Sequence, residues 1–303
     1  MIIVGIDAGG TKTKAIAYDC NGNYIGEGLA GSGNYHNVGL PKAIEHIREA
    51  AIKAAGREPD IISMGVAGLD SKYDWDNFLP LATSLAKKVF VYHDGAIALF
   101  AETLGNPGVV VIAGTGSVVE GFDGNQFYRV GGRGWLLSDT GSAYWIGRKA
   151  LRKVLKMMDG VIPKSELYYE VLDKIKIKDL DDLVLWAYNS SCQIDLVASV
   201  AESVNRAAEK GDEIAISILK EGAEKLAKDA VFLAKKLKFK VVYLKGGMFN
   251  SKIYHMAFTN YLSLHGIKGD AGKNPPEMGA IFIAFKQLGC NISNILKAPH
   301  PHF

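Results

Sequence analysis

The chain has 303 residues, 48% of them hydrophobic and 22% charged, which is enough for two globular domains with full cores. Its formal net charge is only +3 and its lysines and arginines are scattered, so the basic footprint of a nucleic-acid-binding protein is absent. No apolar run is long enough to cross a bilayer, and the first residues do not resemble a signal peptide. We therefore expect a cytoplasmic protein with no membrane and no nucleic-acid partner.

Three cysteines, Cys20, Cys192 and Cys290, lie far apart and form no CxxC pair. Their odd number argues against a disulfide scaffold, so each is expected to be a small buried hydrophobic side chain. The P-loop, HExxH and GxSxG patterns are also missing from the sequence.

Strand patterns dominate the first third of the chain. Apolar runs predict strands at 2–7, 13–19 and 24–30, and a helical period follows at 41–56. In the helix, Pro41 lies in the first turn and a glycine ends the pattern. The next predicted elements are a strand at 61–70, a helix at 74–87, a strand at 88–94 and a short helix at 97–105.

Residues 108–130 repeat the first hairpin: an apolar strand, a glycine turn, a second strand, a polar Gly-Asn turn and a further strand. After a glycine-rich stretch at 131–142 the pattern is helical as far as a strand at 241–247. Helical segments near 251–264 and 277–288 follow, and the tail at 297–303 has no periodicity. Two β-rich starts, each followed by helices, predict an α/β protein with two domains of duplicated design.

Both hairpins turn on glycines in a way that suits an anion. Consecutive glycines expose backbone N–H groups, and without a Cβ they let a phosphate approach closely. Asp7 precedes the first turn and would repel a phosphate unless Mg²⁺ lay between them, since magnesium prefers carboxylate and phosphate oxygens. The alternative is a pair of tight hairpins without a ligand, but two copies together with Asp7 favour phosphate binding.

Four segments resemble, in order, the nucleotide-site motifs of the sugar kinase, Hsp70 and actin superfamily. DAGGTKTK (7–14), AGTGS (113–117), LKGGMF (244–249) and PPEMGA (275–280) are similar to its two phosphate loops, adenosine loop and second connecting helix. More narrowly, GTGSVVEG and the segment at 131–151 resemble the group of N-acetylglucosamine kinases and benzoyl-CoA-reductase-activator ATPases, and within it the archaeal ATP-dependent hexokinases of broad specificity. The resemblance implies two actin-like (ribonuclease H-like) domains with a cleft between them.

The resemblance also implies a division of the chain and a nucleotide site. Residues 1–113 with the C-terminal helix at 279–303 would form a small N-terminal domain, and 114–278 a larger C-terminal domain. The implied cofactors are ATP and Mg²⁺, with Asp7 on the metal. The residues expected at the nucleotide are Gly9, Gly10, Thr11, Lys12, Thr13, Gly114, Thr115, Gly116, Ser117, Gly246 and Gly247.

Asp94 is the predicted catalytic base. It follows the strand at 88–94, and ligands of α/β sheets gather beyond the carboxyl ends of strands. Phosphoryl transfer to a hydroxyl needs a group that accepts its proton, and similar sugar kinases place their base at the matching position. A role as a helix N-cap is the structural alternative, and both roles can hold together.

Polar residues in glycine-rich loops are the candidates for sugar binding. Asn34 offers a donor and an acceptor to vicinal hydroxyls, and it matches a sugar-contacting asparagine of similar kinases. Asp70 and Asp139 could contact sugar or could cap a turn or helix. Trp135 and Trp145 are expected in the core rather than stacked on sugar. The full set of expected sugar contacts is Asn34, Asp70, Asp94, Thr115, Gly131, Gly132 and Asp139.

The expected function is ATP-dependent phosphorylation of the 6-hydroxyl of a hexose or amino sugar, such as glucose, mannose, glucosamine or N-acetylglucosamine. An ATPase that activates a partner redox enzyme stays open as an alternative. Such activators resemble this chain but hold an iron–sulfur cluster with cysteines at a glycine-flanked helix start, and none of the three cysteines here is expected at such a position. A repressor of the related kinase-like type would carry an N-terminal helix-turn-helix, whereas the pattern here begins with a strand. A homodimer is possible.

Overall fold

The chain divides into two units, each built on a five-stranded sheet, in a computed structural model that describes residues 1–188 and 193–297. The first unit comprises Met1–Gly108, Gly121–Phe127 and the described residues from Gly272 onward, and the second comprises Val109–Glu120 and Tyr128–Ala271. The divisions at 108 and 272 lie a few residues from the expected ones at 113 and 279. The short segment at 121–127, which groups with the first unit, was not anticipated.

The first sheet has an antiparallel meander at one side and parallel strands at the other. Its strand order is β3-β2-β1-β4-β5, with β1 antiparallel to β2 and parallel to β4. The strands are β1 (Ile2–Ala8), β2 (Thr13–Asp19), β3 (Tyr24–Ala30), β4 (Ile61–Val66) and β5 (Lys88–His93).

The second sheet repeats this topology. Its order is β8-β7-β6-β9-β10, with β9 parallel to both β6 and β10. When the strands of each sheet are numbered along the chain, both sheets have the order 3-2-1-4-5. The strands are β6 (Gly108–Ala113), β7 (Ser117–Phe122), β8 (Phe127–Gly131), β9 (Val241–Lys245) and β10 (Lys268–Ala271). The α/β class and the duplicated, actin-like design are confirmed.

Helices account for most of the remaining described residues. They are α1 (Tyr35–Val38), α2 (Leu40–Ala55), α3 (Lys72–Ala82), α4 (Asp94–Thr103), α5 (Ala143–Met158), α6 (Glu166–Ile175), α7 (Leu180–Tyr188), α8 (Gln193–Glu209), α9 (Glu213–Leu237), α10 (Lys252–Leu264), α11 (Pro276–Leu288) and α12 (Ile292–Lys297). None of the helices in the described ranges is long and apolar enough to cross a membrane.

The first sheet is covered on both faces, which explains its long apolar strands. Ile47 and the alanine stripe of α2 pack with Val4 and Ile6 on one face. On the other face α11 packs against β1, and its buried residues run without a break from Glu277 to Phe285. A helix that is apolar nearly all round belongs inside a core.

Cys20 and Cys290 form a disulfide, so the expectation of unpaired cysteines is wrong for these two. Cys20 follows β2, and Cys290 lies between α11 and α12 in the same unit. The sequence did not predict this pairing because 270 residues separate the two cysteines, and local spacing carries no information on such a distant contact. Cys192 and the tail beyond residue 297 lie outside the described residues.

Candidate active site

The first glycine turn joins β1 to β2 in the first unit. It is closed by the Gly9 amide, which donates to the Lys12 carbonyl at 3.0 Å. The carbonyls of Gly9 and Gly10 are bound by the Gly33 amide and the Asn37 side chain, at 3.0 and 2.9 Å. Gly10, Thr11 and Lys12 are exposed, so the turn presents amides and side chains outward while two of its carbonyls are held by the loop behind it.

Thr13 and Ser117 occupy equivalent positions, each being the first residue of the second strand in its sheet. The Thr13 hydroxyl is buried and donates to the Gly31 carbonyl at 2.8 Å. The Ser117 hydroxyl is nearly buried and donates to the Thr140 carbonyl at 2.9 Å. Thr13 and Ser117 were expected at the nucleotide, but a donor role toward phosphate does not fit these two hydroxyls, because each already binds a carbonyl of a neighbouring loop.

Asp7 lies at the end of β1, where it pairs in register with Lys14 of β2. The Lys14 ammonium lies 3.7 Å from Oε1 of Glu277, the second residue of α11. A half-buried carboxylate beside the exposed turn fits a Mg²⁺ held mainly by phosphate oxygens and water. Among the described residues, no group of three or more acidic, histidine or cysteine side chains could hold a metal ion by itself.

The second glycine turn and Gly247, which follows β9, line one cavity of about 670 Å³ in the second unit. Gly114, Thr115 and Gly247 lie on its wall. Apart from the adjoining residues, no atom of the described part of the chain lies within 4 Å of the place where a Cβ would stand on Gly114 or Gly247, so the backbone at both positions has room for a ligand. Two segments separated by more than a hundred residues thus meet at one cavity.

Gly246 has a different function from its neighbour. It adopts φ +103°, and a Cβ there would stand 2.3 Å from the Ala113 carbonyl oxygen. This glycine allows β9 to turn closely past the end of β6, which brings Gly247 to the cavity.

Helix α8 supplies a wall of the same cavity that sequence reasoning missed. Its lining side chains recur at helical spacing and are polar, namely Asp195, Ser199, Glu202, Asn205 and Arg206. Carboxylate, hydroxyl and amide groups can bind the hydroxyls of a ribose. The three- and four-residue spacing of these polar residues was a visible signal, but an exposed helix face gives the same pattern.

Asn34 caps the short helix α1, with its Oδ1 accepting from the His36 amide at 3.0 Å. A Cβ on Gly68 would stand 2.8 Å from that oxygen, so the loops after β3 and β4 lie side by side. Tyr35 donates a hydrogen bond to Asp74. Burial is the larger cause and this bond the smaller cause of a rise in the pKa of Tyr35 to about 12. Burial also raises the pKa of Asp74, but the bonds from Tyr35 and Ser71 outweigh it, so the net shift is downward.

Asp70 and Asp94 lie on two sides of one histidine. His93 Nδ1 is 2.8 Å from Asp94 Oδ1, and Nε2 is 3.3 Å from Asp70 Oδ1. Neither aspartate is a helix cap: His93 is the N-cap of α4 with Asp94 its first residue, and Ser71 is the N-cap of α3. Because β4 and β5 are parallel neighbours, their carboxyl ends bring these side chains together.

Asp139 lies beside the second glycine turn, since a Cβ on Gly116 would stand 2.8 Å from its Oδ2. It is nearly buried, adopts φ +56° and accepts from the Ser138 hydroxyl at 3.1 Å. It does not cap α5, whose N-cap is Ser142. The structure therefore removes the helix-capping role for Asp139 and places its carboxylate beside the second glycine turn.

Gly131 and Gly132 both have positive φ, and Arg129 donates to the Gly132 carbonyl. Trp145 is buried as expected, but Trp135 is 41% exposed and contacts the ring of Tyr144, so its assignment to the core is wrong. The loop that carries Trp135 follows Gly131 and Gly132, both with positive φ, and turns away from the sheet. Apolar spacing in the sequence does not show such a change of direction, so it could not predict that Trp135 is exposed.

The comparisons with known proteins agree with this arrangement. The N-acetyl-D-glucosamine kinase of Dictyostelium discoideum is 32% identical, covering 93% of this chain and 97% of that protein. The N-acetylmuramic acid/N-acetylglucosamine kinase of Clostridium acetobutylicum is 31% identical with the same two coverages. A solved protein of Chromobacterium violaceum, named as a candidate N-acetylglucosamine kinase, is 23% identical, covers 93% of this chain and 98% of its own, and shares the fold with a TM-score of 0.79.

A family model also matches almost the whole chain, over residues 4–284. This range includes both glycine turns, the aspartates after β4 and β5, and the start of α11. The chain therefore belongs to the BadF/BadG/BcrA/BcrD ATPase family.

Proposed function

We propose that the protein transfers the γ-phosphoryl group of ATP to the 6-hydroxyl of a hexose or amino sugar. It is a sugar kinase by its relatives, since the two that cover 93% of the chain are both kinases of amino sugars by name. The observation that carries the proposal is the cavity of the second unit, where Gly114, Thr115 and Gly247 meet. Open backbone at two of these positions suits the close approach of a nucleotide.

Phosphoryl transfer needs a clamped nucleotide, neutralised charge and a group that takes the proton of the attacking hydroxyl. In this proposal the amides of both glycine turns bind phosphate oxygens, and Asp7 holds Mg²⁺. The magnesium, when bound, offsets the negative charge of the phosphates. Asp94 accepts the hydroxyl proton on Oδ2, because Oδ1 is already occupied by the Gly95 amide at 2.8 Å and by His93.

Asn34, Asp70 and Asp139 are the proposed sugar contacts, together with Thr115 and the backbone of Gly131 and Gly132. Such polar groups select a substrate because a sugar that lacks the matching hydroxyl leaves them unpaired. The names of the relatives favour substrates with a nitrogen substituent at carbon 2, so N-acetylglucosamine and glucosamine come first, ahead of glucose and mannose.

The function is tested by measuring ADP release with ATP and Mg²⁺ in buffer alone and with each of these sugars. We expect release to depend strongly on sugar, with a sugar 6-phosphate as the product by mass spectrometry. Hydrolysis that ignores sugar would contradict the kinase and favour the ATPase-activator alternative. The disulfide already argues against that alternative, because Cys20 and Cys290 are bound to each other rather than available to a cluster.

The role of Asp94 is tested with Asp94→Ala. Loss of a general base lowers turnover by about 10²–10⁴-fold, while ATP binding measured by calorimetry should stay close to that of the wild type. The matched control is Asp76→Ala in the same unit, an exposed aspartate of α3 that pairs with Lys72. Turnover of Asp94→Ala close to the wild-type value would remove Asp94 from the base role.

A further inference from the structure

His93 is the residue between the two aspartates, and no role for it follows from the sequence alone. It is the last residue of β5 and the N-cap of α4. Its side chain is only 16% exposed, whereas those of Asp70 and Asp94 are 45% and 40% exposed. The imidazole ring is thus mostly buried, while both carboxylates reach the surface. In this arrangement the ring can hold the carboxylates in place without contacting a ligand itself.

The hydrogen-bond partners fix where the protons of the ring must lie. An ionised carboxylate can only accept, so the 2.8 Å contact between Nδ1 and Asp94 Oδ1 requires a proton on Nδ1. The Gly95 amide lies within hydrogen-bond distance of both Nδ1, at 3.3 Å, and Asp94 Oδ1, at 2.8 Å. With a proton on Nδ1, the amide donates to the nearer carboxylate oxygen alone. Nε2 faces a second carboxylate at 3.3 Å, where a bare nitrogen would be repelled.

We infer that His93, protonated on both nitrogens and held by Asp70, is a positioning residue for the catalytic carboxylate. It holds Oδ1 of Asp94 and so leaves Oδ2 as the oxygen that meets the sugar hydroxyl. Asp94 Oδ2 makes no hydrogen bond within residues 1–188 and 193–297, which fits this assignment. The inference rests on the proposed kinase activity with Asp94 as the base.

His93 takes no proton from the substrate in this scheme. The bond between the sugar oxygen and the γ-phosphorus forms, the oxygen–hydrogen bond breaks, and the proton moves to Oδ2 while ADP leaves. Two bonds to Oδ1 restrict rotation of the carboxylate, and correct orientation of a reacting group is worth large factors in rate. Removing His93 should therefore lower turnover and leave substrate affinity largely unchanged.

Three substitutions separate this role from simple helix capping. His93→Ser keeps a good N-cap but has no N–H group to donate to Asp94. His93→Asn keeps a cap and places an amide N–H near the position of Nδ1. His93→Gln can place its amide near Nε2, toward Asp70 instead. The matched control is His265→Ser, an exposed histidine after α10 whose ring contacts Tyr261.

We expect His93→Ser and His93→Gln to lower kcat by about tenfold to a hundredfold, with KM for sugar and ATP and the melting temperature little changed. His93→Asn should recover most of the loss, and His265→Ser should match the wild type. Unchanged kcat in His93→Ser, or a rise in sugar KM alone, would overturn the inference. Because wild-type activity and Asp94→Ala are measured alongside, that result would leave the proposed function intact.

The protonation of the ring has a test that does not use activity. In ¹⁵N NMR of the labelled protein near pH 7, the His93 ring should show a proton on each nitrogen, and Asp70→Asn should weaken this state. A ring with one bare nitrogen in the wild type would contradict the inference, even if the protein proves to be a sugar kinase.

Discussion

Asp60 fastens the first strand of the sheet through one carboxylate. Its Oδ2 accepts from the Ile2 amide at 2.9 Å, and Arg57 and Lys87 lie 3.2 and 3.3 Å from its oxygens. The hydrogen bond from the Ile2 amide is the largest cause, and the contacts with Lys87 and Arg57 add to it; together they lower the pKa of Asp60 to about 2. An aspartate in an unfolded chain titrates near pH 3.9. Asp60 in the folded protein therefore takes up its proton only at a lower pH than in the unfolded chain.

This difference makes the stabilisation by Asp60 dependent on pH. Since its pKa is depressed on folding, the contribution is present above about pH 4 and is lost as the pH falls toward 2. Asp60→Asn should lower the free energy of unfolding by about 1–2 kcal/mol at pH 6 and by clearly less at pH 2.5, measured by urea denaturation. The exposed Asp76→Asn should change it little at either pH. Equal losses for Asp60→Asn at both pH values would contradict this account.

Residue types point to Asp94 as a candidate base, but they do not predict its contact with His93 or the contact of His93 with Asp70. An aspartate that ends a strand and begins a helix is visible in the sequence. The partnership of His93 with Asp70 is not, because it depends on two loops 23 residues apart lying on neighbouring strands. Thr13 and Ser117 show the converse: their hydroxyls suit phosphate by type, and only the fold shows that both are already used.

At the level of the elements, α11 approaches α4 very closely through Gly279, in the PPEMGA segment. A Cβ on Gly279 would stand 1.8 Å from the Ile97 carbonyl oxygen and 2.5 Å from the Ala101 amide nitrogen. Both are backbone atoms of α4, so neither can move without shifting the helix. The motif glycine is therefore required by packing between two buried helices.

Gly279→Ala should destabilise the protein although alanine favours helix by about 1 kcal/mol over glycine. Overpacking against backbone costs about 1–3 kcal/mol or more, so we expect a net loss of about 2 kcal/mol in denaturant unfolding. Gly222→Ala in α9 is the matched control. Its Cβ would meet the flexible end of Ile146 at 2.7 Å, and the next atoms are the Trp145 ring at 3.1 Å and the Gly141 Cα at 3.3 Å, so no described backbone atom outside α9 is closer than 3.3 Å. If Gly279→Ala were as stable as Gly222→Ala, the close approach of α4 and α11 would be wrong.

Long, strongly patterned elements were predictable and short ones were not. The strand expected at 61–70 ends at Val66, and the helix expected at 97–105 already begins at Asp94, directly after β5. β10 was missed entirely, since Lys268–Ala271 has neither alternation nor β-branched residues. It is a strand because it pairs with β9, and pairing of that kind is not written in the local sequence.

For the molecule as a whole, the duplication was readable because each hairpin repeats its turn chemistry. The order of apolar strand, glycine turn, second strand and polar turn predicted two sheets of one topology, and both sheets have it. The return of the chain end to the first unit was implied only by the resemblance of PPEMGA to a connecting helix. The covalent bond that accompanies this return had no signal, because contacts at a separation of 270 residues leave no period in a sequence.

That bond makes a prediction for the whole chain. It joins the end of β2 to the segment beside α12, where the Asn294 side chain also donates to the Asn21 carbonyl at 2.9 Å. Linking positions so far apart restricts the unfolded chain, and native disulfides typically stabilise by about 2–4 kcal/mol. Reduction should therefore lower the melting temperature by about 5–10 °C in calorimetry. Cys20→Ser with Cys290→Ser should melt like the reduced wild type whether or not reductant is present, whereas Cys192→Ser should keep the full response. A wild-type melting temperature indifferent to reductant, with free thiols by mass spectrometry in the untreated protein, would show that the chain holds its end in place without the bond.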